Sequence, residues 1–214
     1  MFHLQRYCAS LLVIAGLLLA TGCTEKAEAP RFKLTDVTGA SFGKELALTD
    51  HNGQRRTLAD FRGKVVTLFF GFTHCPDVCP TTLSEMALVM KELGNDAARL
   101  QVLFVTVDPE RDTAAVLQRY APAFHPTFLG LTGSAEDIAR TAKEFKILFQ
   151  KQNLPGGGYS MDHSAGTYIL DTQGRLRLFA QYGVGAPTLL HDIRLLINSD
   201  TNAEIKKPRT APGL

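Results

Sequence analysis

Phe69-Phe70-Gly71-Phe72-Thr73-His74-Cys75-Pro76-Asp77-Val78-Cys79-Pro80-Thr81-Thr82-Leu83 decides how this 214-residue chain is read. Val65 to Phe70 is an unbroken apolar run, and it closes in Gly-Phe-Thr. Two cysteines follow, each with a proline directly after it. Leu83, Met86, Ala87 and Met90 then recur at helical spacing. The stretch reads as a buried strand, a tight loop carrying two thiols, and a helix. Two thiols at the mouth of a strand-to-helix turn point to redox chemistry or to a soft metal.

The spacing of the pair narrows the chemistry. Sulfurs carried by Cys75 and Cys79 on one regular helical turn would have Cβ atoms about 5–6 Å apart, beyond the roughly 3.5–4.5 Å of a relaxed disulfide. Pro76 biases Cys75 away from helix, so Cys75 is placed on the loop and Cys79 in the first turn. There the sulfurs can close to a disulfide or open to grip an ion. Both face a helix N-terminus, whose dipole favours thiolate, with Asp77 opposing locally. As a staple the pair is poor, because a loop of about five residues constrains the unfolded chain little. The ordinary redox motif is C-x-x-C, and this C-x-x-x-C misses it by one residue. His74 adjoins Cys75, but no strand or helix phase aims it at a sulfur.

Outward from this stretch, apolar strands alternate with helices. Upstream, Leu46–Thr49 and Arg55–Leu58 flank Asn52-Gly53, a hairpin signal. Val65–Phe70 is too apolar to alternate, so both its faces should be covered. The helix after Cys79 runs to about Leu93 and stops at Gly94. Leu100–Val107 is a second buried strand, leading into Asp108-Pro109-Glu110-Arg111-Asp112. Helices are predicted from Thr113 to about Phe124 and from Ser134, as N-cap, to about Phe149. Phe128–Leu131 is a short strand between them. Asn153 to Gly158 is a flexible loop. Thr167–Leu170 and Leu176–Ala180 form a late hairpin, and Pro187–Ile197 a terminal helix. This order predicts an α/β fold with a central mixed sheet flanked by helices, thioredoxin-like in its strand, two-cysteine turn, helix and late hairpin.

The ends are of different character. Ala9 to Ala20 is an apolar run of about a dozen residues behind Arg6, fitting a signal h-region and too short to span a bilayer as a helix. It ends in Leu19-Ala20-Thr21-Gly22-Cys23, which resembles a bacterial lipobox. That resemblance implies residues 1–22 as a signal peptide and a diacylglyceryl group on Cys23, with plain cleavage or an uncleaved anchor as alternatives. Residues 23–44 then read as a tether, 45–198 as the domain, and 199–214 as a frayed polar tail. With Cys8 discarded and Cys23 blocked, Cys75 and Cys79 are the two free thiols of an extracytoplasmic domain on a bacterial cell membrane. A net charge of +2, with 45% hydrophobic and 21% charged residues, offers no field for nucleic acid.

One remote residue completes a site. In a thioredoxin-like sheet, the loop before the Thr167 strand faces the cysteine turn, which brings His163 toward both sulfurs. Two thiolates and an imidazole suit copper. Zinc accepts the same donors, but a structural zinc site wants a fourth. Asp162 can orient the imidazole. Met161 is a weak further ligand or, more simply, core. The bland alternative is that His163 is an ordinary polar loop residue.

Gly63-Lys64-Val65-Val66, Phe70 to Pro80, Val107 to Asp112, Leu129-Gly130-Leu131-Thr132-Gly133 and Asp162-His163-Ser164 resemble, in order, the blocks of the Sco (SenC, PrrC) family. The match covers about Leu46 to Asn198. The resemblance implies a membrane-anchored domain that binds one copper ion and delivers it to the binuclear copper centre of cytochrome c oxidase. It places the copper ligands on Cys75, Cys79 and His163, and the acidic positions of the same blocks on Asp162 and Asp77. The implied partners are the oxidase subunit carrying that centre and a periplasmic copper carrier or thiol reductant. Ala114 departs from the proline common in the family after Asp-Thr, on a loop away from the site.

Two other functions compete. A thiol–disulfide reductase would keep the oxidase cysteines reduced through a Cys75–Cys79 disulfide, and this is the one enzymatic activity left open. Reductases of this fold carry a proline just before the strand facing the site, and Ser164-Ala165-Gly166-Thr167 has none. A peroxidase wants Thr-x-x-Cys, and Thr73-His74-Cys75 is one residue short.

Overall fold

Two fully buried parallel strands form the centre of the sheet. β4 (Val65–Gly71) and β5 (Leu100–Thr106) pair in register from Val65–Leu100 to Gly71–Thr106. Every residue of both is buried, which is why neither sequence alternates. The computed structural model describes residues 31–205. Around this pair it adds β1 (Thr35–Asp36), β2 (Ala47–Asp50), β3 (Arg55–Thr57), β6 (Leu129–Thr132), β9 (Gly166–Leu170) and β10 (Leu176–Gln181). The eight strands run β1-β10-β9-β4-β5-β6-β2-β3. β6 is parallel to β5, and β9 is antiparallel to β4, so the sheet is mixed.

Helices flank it: α1 (Val78–Leu93), α2 (Ala114–Phe124), α3 (Ala135–Glu144) and α4 (Ala186–Ile205). Leu83, Met86, Met90 and Leu93 give α1 one buried stripe, and Gly94 at φ +58° ends it. Pro80 is accepted inside α1 because the first-turn N–H groups have no helical partner. Thr113 and Ser134 cap α2 and α3 with their hydroxyls. The core is aromatic, with Phe70, Phe104, Phe128 and Phe145 fully buried.

Four expectations are corrected. The helix from Ser134 ends at Glu144, not at Phe149. Buried Phe145 packs 5.7 Å from the Phe70 ring, and Lys146 turns the chain with φ +56° while Ile147 N–H donates to Ala142 C=O. Burial of Phe145 thus imposes a left-handed turn that no glycine announces. Second, residues 149–163 form a hairpin of β7 (Phe149–Asn153) and β8 (Tyr159–His163), separate from the main sheet. The Gly-rich segment is its turn, closed by Leu154 N–H to Gly158 C=O. Third, the run assigned to the tether is folded from residue 32 onward. Buried Asp192 on α4 accepts from the Lys33 and Leu34 N–H groups, and β1 pairs with β10. At the other end, α4 continues to Ile205, past the expected boundary at 199. Residues 1–22 and Cys23 lie outside the described residues. Among the described residues, no helix is long and apolar enough to cross a membrane.

Candidate metal centre

The site begins where β4 ends. Gly71 leaves the strand under the first turn of α1, and a Cβ built there would lie 2.7 Å from Cys79 Sγ and 2.9 Å from the Phe104 ring. A glycine at this point lets the sulfur of Cys79 sit directly on the strand. Cys79 is fully buried in that turn, while Cys75 is half-buried on the loop, as the prolines predict. Cys75 N–H closes the loop onto Phe72 C=O at 3.2 Å. Both thiols are free in this structure.

The loop is fixed from below by a residue that sequence reasoning passed over. Asp112 is fully buried and accepts from Thr73 N–H at 3.0 Å, Thr73 Oγ1 at 2.6 Å and Thr106 Oγ1 at 2.6 Å. It lies in a charged run directly after a strand, a pattern that does not by itself set it apart from a solvated residue. A threonine two residues before the first cysteine was the available signal, since a loop threonine needs a partner.

His163 closes the site from the last position of β8. Met161 and His163 face inward and Asp162 faces solvent, as strand alternation requires. His163 Nε2 lies 3.8 Å from Cys79 Sγ, across 84 residues of sequence. The ligand atoms of Cys75, Cys79 and His163 all fall within 4.8 Å of one another. Phe69 and Phe72 meet the imidazole edge-on, at 6.3 and 5.9 Å between ring centres.

Burial sets the electrostatics at His163 and Cys79. Burial pulls the His163 imidazole below its ordinary range, so the ring is uncharged at pH 7. Its Nδ1 lies 3.1 Å from the Ser164 carbonyl, which accepts a hydrogen bond only if Nδ1 holds the proton. The Nε2 lone pair therefore faces the sulfurs. Asp162 is exposed beside it on β8, and its charge acts on the imidazole against the effect of burial. Burial also pushes the Cys79 thiol strongly upward, opposed by the Phe72 backbone. The helix dipole is outweighed there, because a fully dry sulfur loses more hydration than one helix end returns. Asp77 is exposed and accepts from Thr81 Oγ1 at 3.2 Å, on the outside of the turn. His74 pairs with Thr73 Oγ1 at 3.2 Å rather than with a sulfur, and Met161 belongs to the core.

A charged latch holds the β7–β8 hairpin. Arg111 donates to Asp108 at 2.5 Å and to the Tyr159 carbonyl at 2.9 Å, and its guanidinium lies 3.7 Å from the Tyr159 ring centre. Lys151 covers that ring at 3.9 Å and pairs with Glu110 at 2.7 Å. Tyr159 Oη donates to Asp108 at 2.9 Å.

Two soft sulfurs and one unprotonated ring nitrogen fit copper by donor chemistry, with no fourth His, Cys, Asp or Glu at the cluster among the described residues. A family model described as SCO1/SenC matches residues 29–198. The chain belongs to the SCO1/SenC family. A mitochondrial SCO2 homolog of Bos taurus is 44% identical over 141 residues, which cover 64% of this chain and 52% of the relative. The chain thus spans about half the length of the mitochondrial relatives it matches. A SCO2-like protein of Rickettsia felis is 34% identical over 171 residues, covering 78% of this chain and 83% of that one. The structure of Bradyrhizobium japonicum ScoI with copper bound superposes with a TM-score of 0.68 at 36% identity, covering 73% of this chain and 99% of that one. The fold of this SCO1/SenC chain is that of the Sco thioredoxin-like proteins.

Proposed function

We propose that this protein is a copper metallochaperone that holds one ion with Cys75, Cys79 and His163 and delivers it to the binuclear copper centre of cytochrome c oxidase. The observation that carries the reading is the convergence of the three ligand atoms within 4.8 Å, with Nε2 of His163 free to donate. Relatives with copper bound support it. A bound copper ion supplies a cargo held by soft, exchangeable bonds. The chain's own part is to present two sulfurs from one turn and a nitrogen from a strand outside the main sheet. Half-buried Cys75 is the accessible donor, from which an incoming ligand can begin the exchange. The partners we assign are the oxidase subunit that carries the centre and a periplasmic carrier or thiol reductant that loads the site. A lipid on Cys23 would hold the domain at the extracytoplasmic face of the membrane.

The experiment is His163→Ala in the soluble domain. Copper(II) affinity should fall by more than the roughly 10–100-fold expected for losing an outer-shell contact, and reduction of a test disulfide should persist. Unchanged affinity removes the ligand assignment. One observation favours a second reading, a reductase for the oxidase cysteines. Cys75 is accessible and Cys79 buried behind it, the arrangement of an attacking and a resolving thiol. Cys75 thiolate would form the mixed disulfide. Cys79 would then displace the partner's thiol and leave a Cys75–Cys79 disulfide. Loss of disulfide reduction without loss of copper delivery in a Cys75 variant would favour this second reading.

A further inference from the structure

A cavity of about 580 Å³ lies at the opposite end of the sheet from the sulfurs. The cysteine turn follows Gly71, the last residue of β4. The cavity instead surrounds the Gln173-Gly174 turn between β9 and β10, which Gly63 N–H ties to the start of β4 by donating to the Thr172 carbonyl. The seven residues of β4 put about 20 Å between the two. Neither the fold nor the copper reading uses this cavity.

Its lining carries Lys44, Arg62, Arg175 and Arg177 and no acidic residue. Two of the guanidinium groups are held from behind. Buried Asp171 accepts from Arg175 Nε at 2.8 Å and from Arg177 at 3.3 Å, and its other oxygen takes the Gln173 and Arg175 N–H groups. Arg62 donates to the Gln173 carbonyl at 2.5 Å, and Arg177 Nε to Thr38 Oγ1 at 2.9 Å. The carboxylates of Asp36 and Glu144 accept from the Thr38 and Lys44 N–H groups and do not line the cavity. One buried carboxylate does not neutralise four cations, so the cavity attracts anions. Guanidinium groups already fixed in place match the oxygens of a phosphate.

The chain enters the fold beside this cavity. Arg177 lies 5.8 Å from the ring of Phe32, and eight residues separate Phe32 from Cys23. Fully extended, that segment reaches about 30 Å at most. A lipid on Cys23 would therefore bring this end of the sheet, rather than the sulfurs, to the headgroups. We propose that the cavity docks the phosphate headgroups of anionic phospholipids and so stands the domain with its sulfurs directed away from the bilayer. The choice of lipid as the source of phosphate rests on the membrane attachment proposed through Cys23. The cations are partly exposed, so the docking weakens with salt.

The test is arginine modification by phenylglyoxal in the full chain, read by mass spectrometry, with vesicles of phosphatidylcholine alone or with an equal part of phosphatidylglycerol. Exposed Arg175 should react several-fold more slowly with the anionic vesicles, and exposed Arg119 on α2 at the same rate with both. Inorganic phosphate added to the neutral vesicles should not reproduce the protection. Lys44→Gln with Arg62→Gln removes two cations and leaves the Asp171 pairs intact. Half-protection of Arg175 should then need about tenfold more phosphatidylglycerol. Arg175 reacting alike with both vesicles overturns the proposal, as does unchanged protection in the double variant. Equal protection by inorganic phosphate overturns the lipid as occupant. Sedimentation separates this proposal from the anchor. A chain that pellets with neutral vesicles but gains no protection from anionic ones keeps its anchor and loses the docking site. One that pellets only with anionic vesicles, with Arg175 protected, keeps the docking site and loses the anchor.

Discussion

Gly71→Ala isolates the geometry on which the buried sulfur depends. Gly71 has an ordinary strand backbone, so alanine meets no torsional penalty and acts by bulk alone. The new methyl would lie 2.7 Å from Cys79 Sγ, 2.9 Å from Phe104 and 3.0 Å from Phe69. None of the three is the free end of a flexible chain: their exposures are 0, 0 and 2%. Something packed must move, which places the cost near the middle of the overpacking range, about 2 kcal/mol. For a domain of this size that lowers the melting temperature by about 4–8 °C. The displaced atom is one of the three ligands we propose, so copper(I) affinity should also fall, about tenfold or more, in a chelator competition. Gly130→Ala is the matched control. Its methyl would crowd the Leu117 Cβ at 2.8 Å, between β6 and α2 and away from the sulfurs. It should cost similar stability and leave copper affinity unchanged. If both variants bind copper like the wild type, the strand end does not fix the sulfur. If both lose affinity equally, the loss is a general consequence of destabilisation.

Asp112→Ala should destabilise the domain by about 3 kcal/mol, because the Thr73 N–H and the Thr106 hydroxyl lose a buried charged acceptor; Asp112→Asn should cost far less in the same urea titration, since the Thr73 hydroxyl can turn to accept from the amide. Arg111→Ala should cost about 1–2 kcal/mol and speed amide exchange across residues 149–163, leaving β4 and β5 protected. The depressed His163 imidazole sets a pH dependence. Its folded value lies below its unfolded one, so its contribution is present above the unfolded value of about 6.5 and is lost as pH falls through the folded value. Urea midpoints should therefore drop between neutral and mildly acidic pH in the wild type, and less in His163→Ala. Copper uptake at pH 7 should release at least one proton, from the Cys79 thiol that burial keeps protonated, and a pH-stat titration with no release would contradict the buried-thiol assignment.

The parts of this structure that sequence reveals are those set by local pattern. Val65–Gly71 and Leu100–Thr106 are buried on both faces and read as unbroken apolar runs. Pro76 divides loop from helix and so divides Cys75 from Cys79. Gly94 marks the end of α1 by its positive φ. What the pattern conceals is set by tertiary contact. Phe149-Gln150-Lys151-Gln152-Asn153 is a polar, largely exposed strand held by its partner β8, and on its own it resembles a helix end. The turn at Lys146 exists because Phe145 fills the core. The partner of His163 is a backbone carbonyl, which every residue type possesses, so no side chain near it announces the bond. The thiol of Cys79 follows its burial, a property of Phe104, Gly71 and α1 together that no window of sequence contains.

The loop after β5 ties the two halves of the site together. Asp112 grips Thr73 and so holds the cysteine turn, while Asp108 and Arg111, four residues and one residue before it in the chain, grip Tyr159 and so hold the strand of His163. Arg111 also lies 5.9 Å from the ring of Phe72, which itself touches His163. The distance between sulfur and nitrogen is therefore set by one short segment, with opposite kinds of contact on its two sides. The grip on the cysteines is buried, neutral at its donors and stiff. The grip on the hairpin is partly exposed and charged, and weakens with salt. A carrier of the kind we propose, which must both hold an ion and surrender it, benefits from this asymmetry. The sulfurs stay fixed, and the imidazole, on a hairpin outside the main sheet, is the ligand whose position can be changed at least cost.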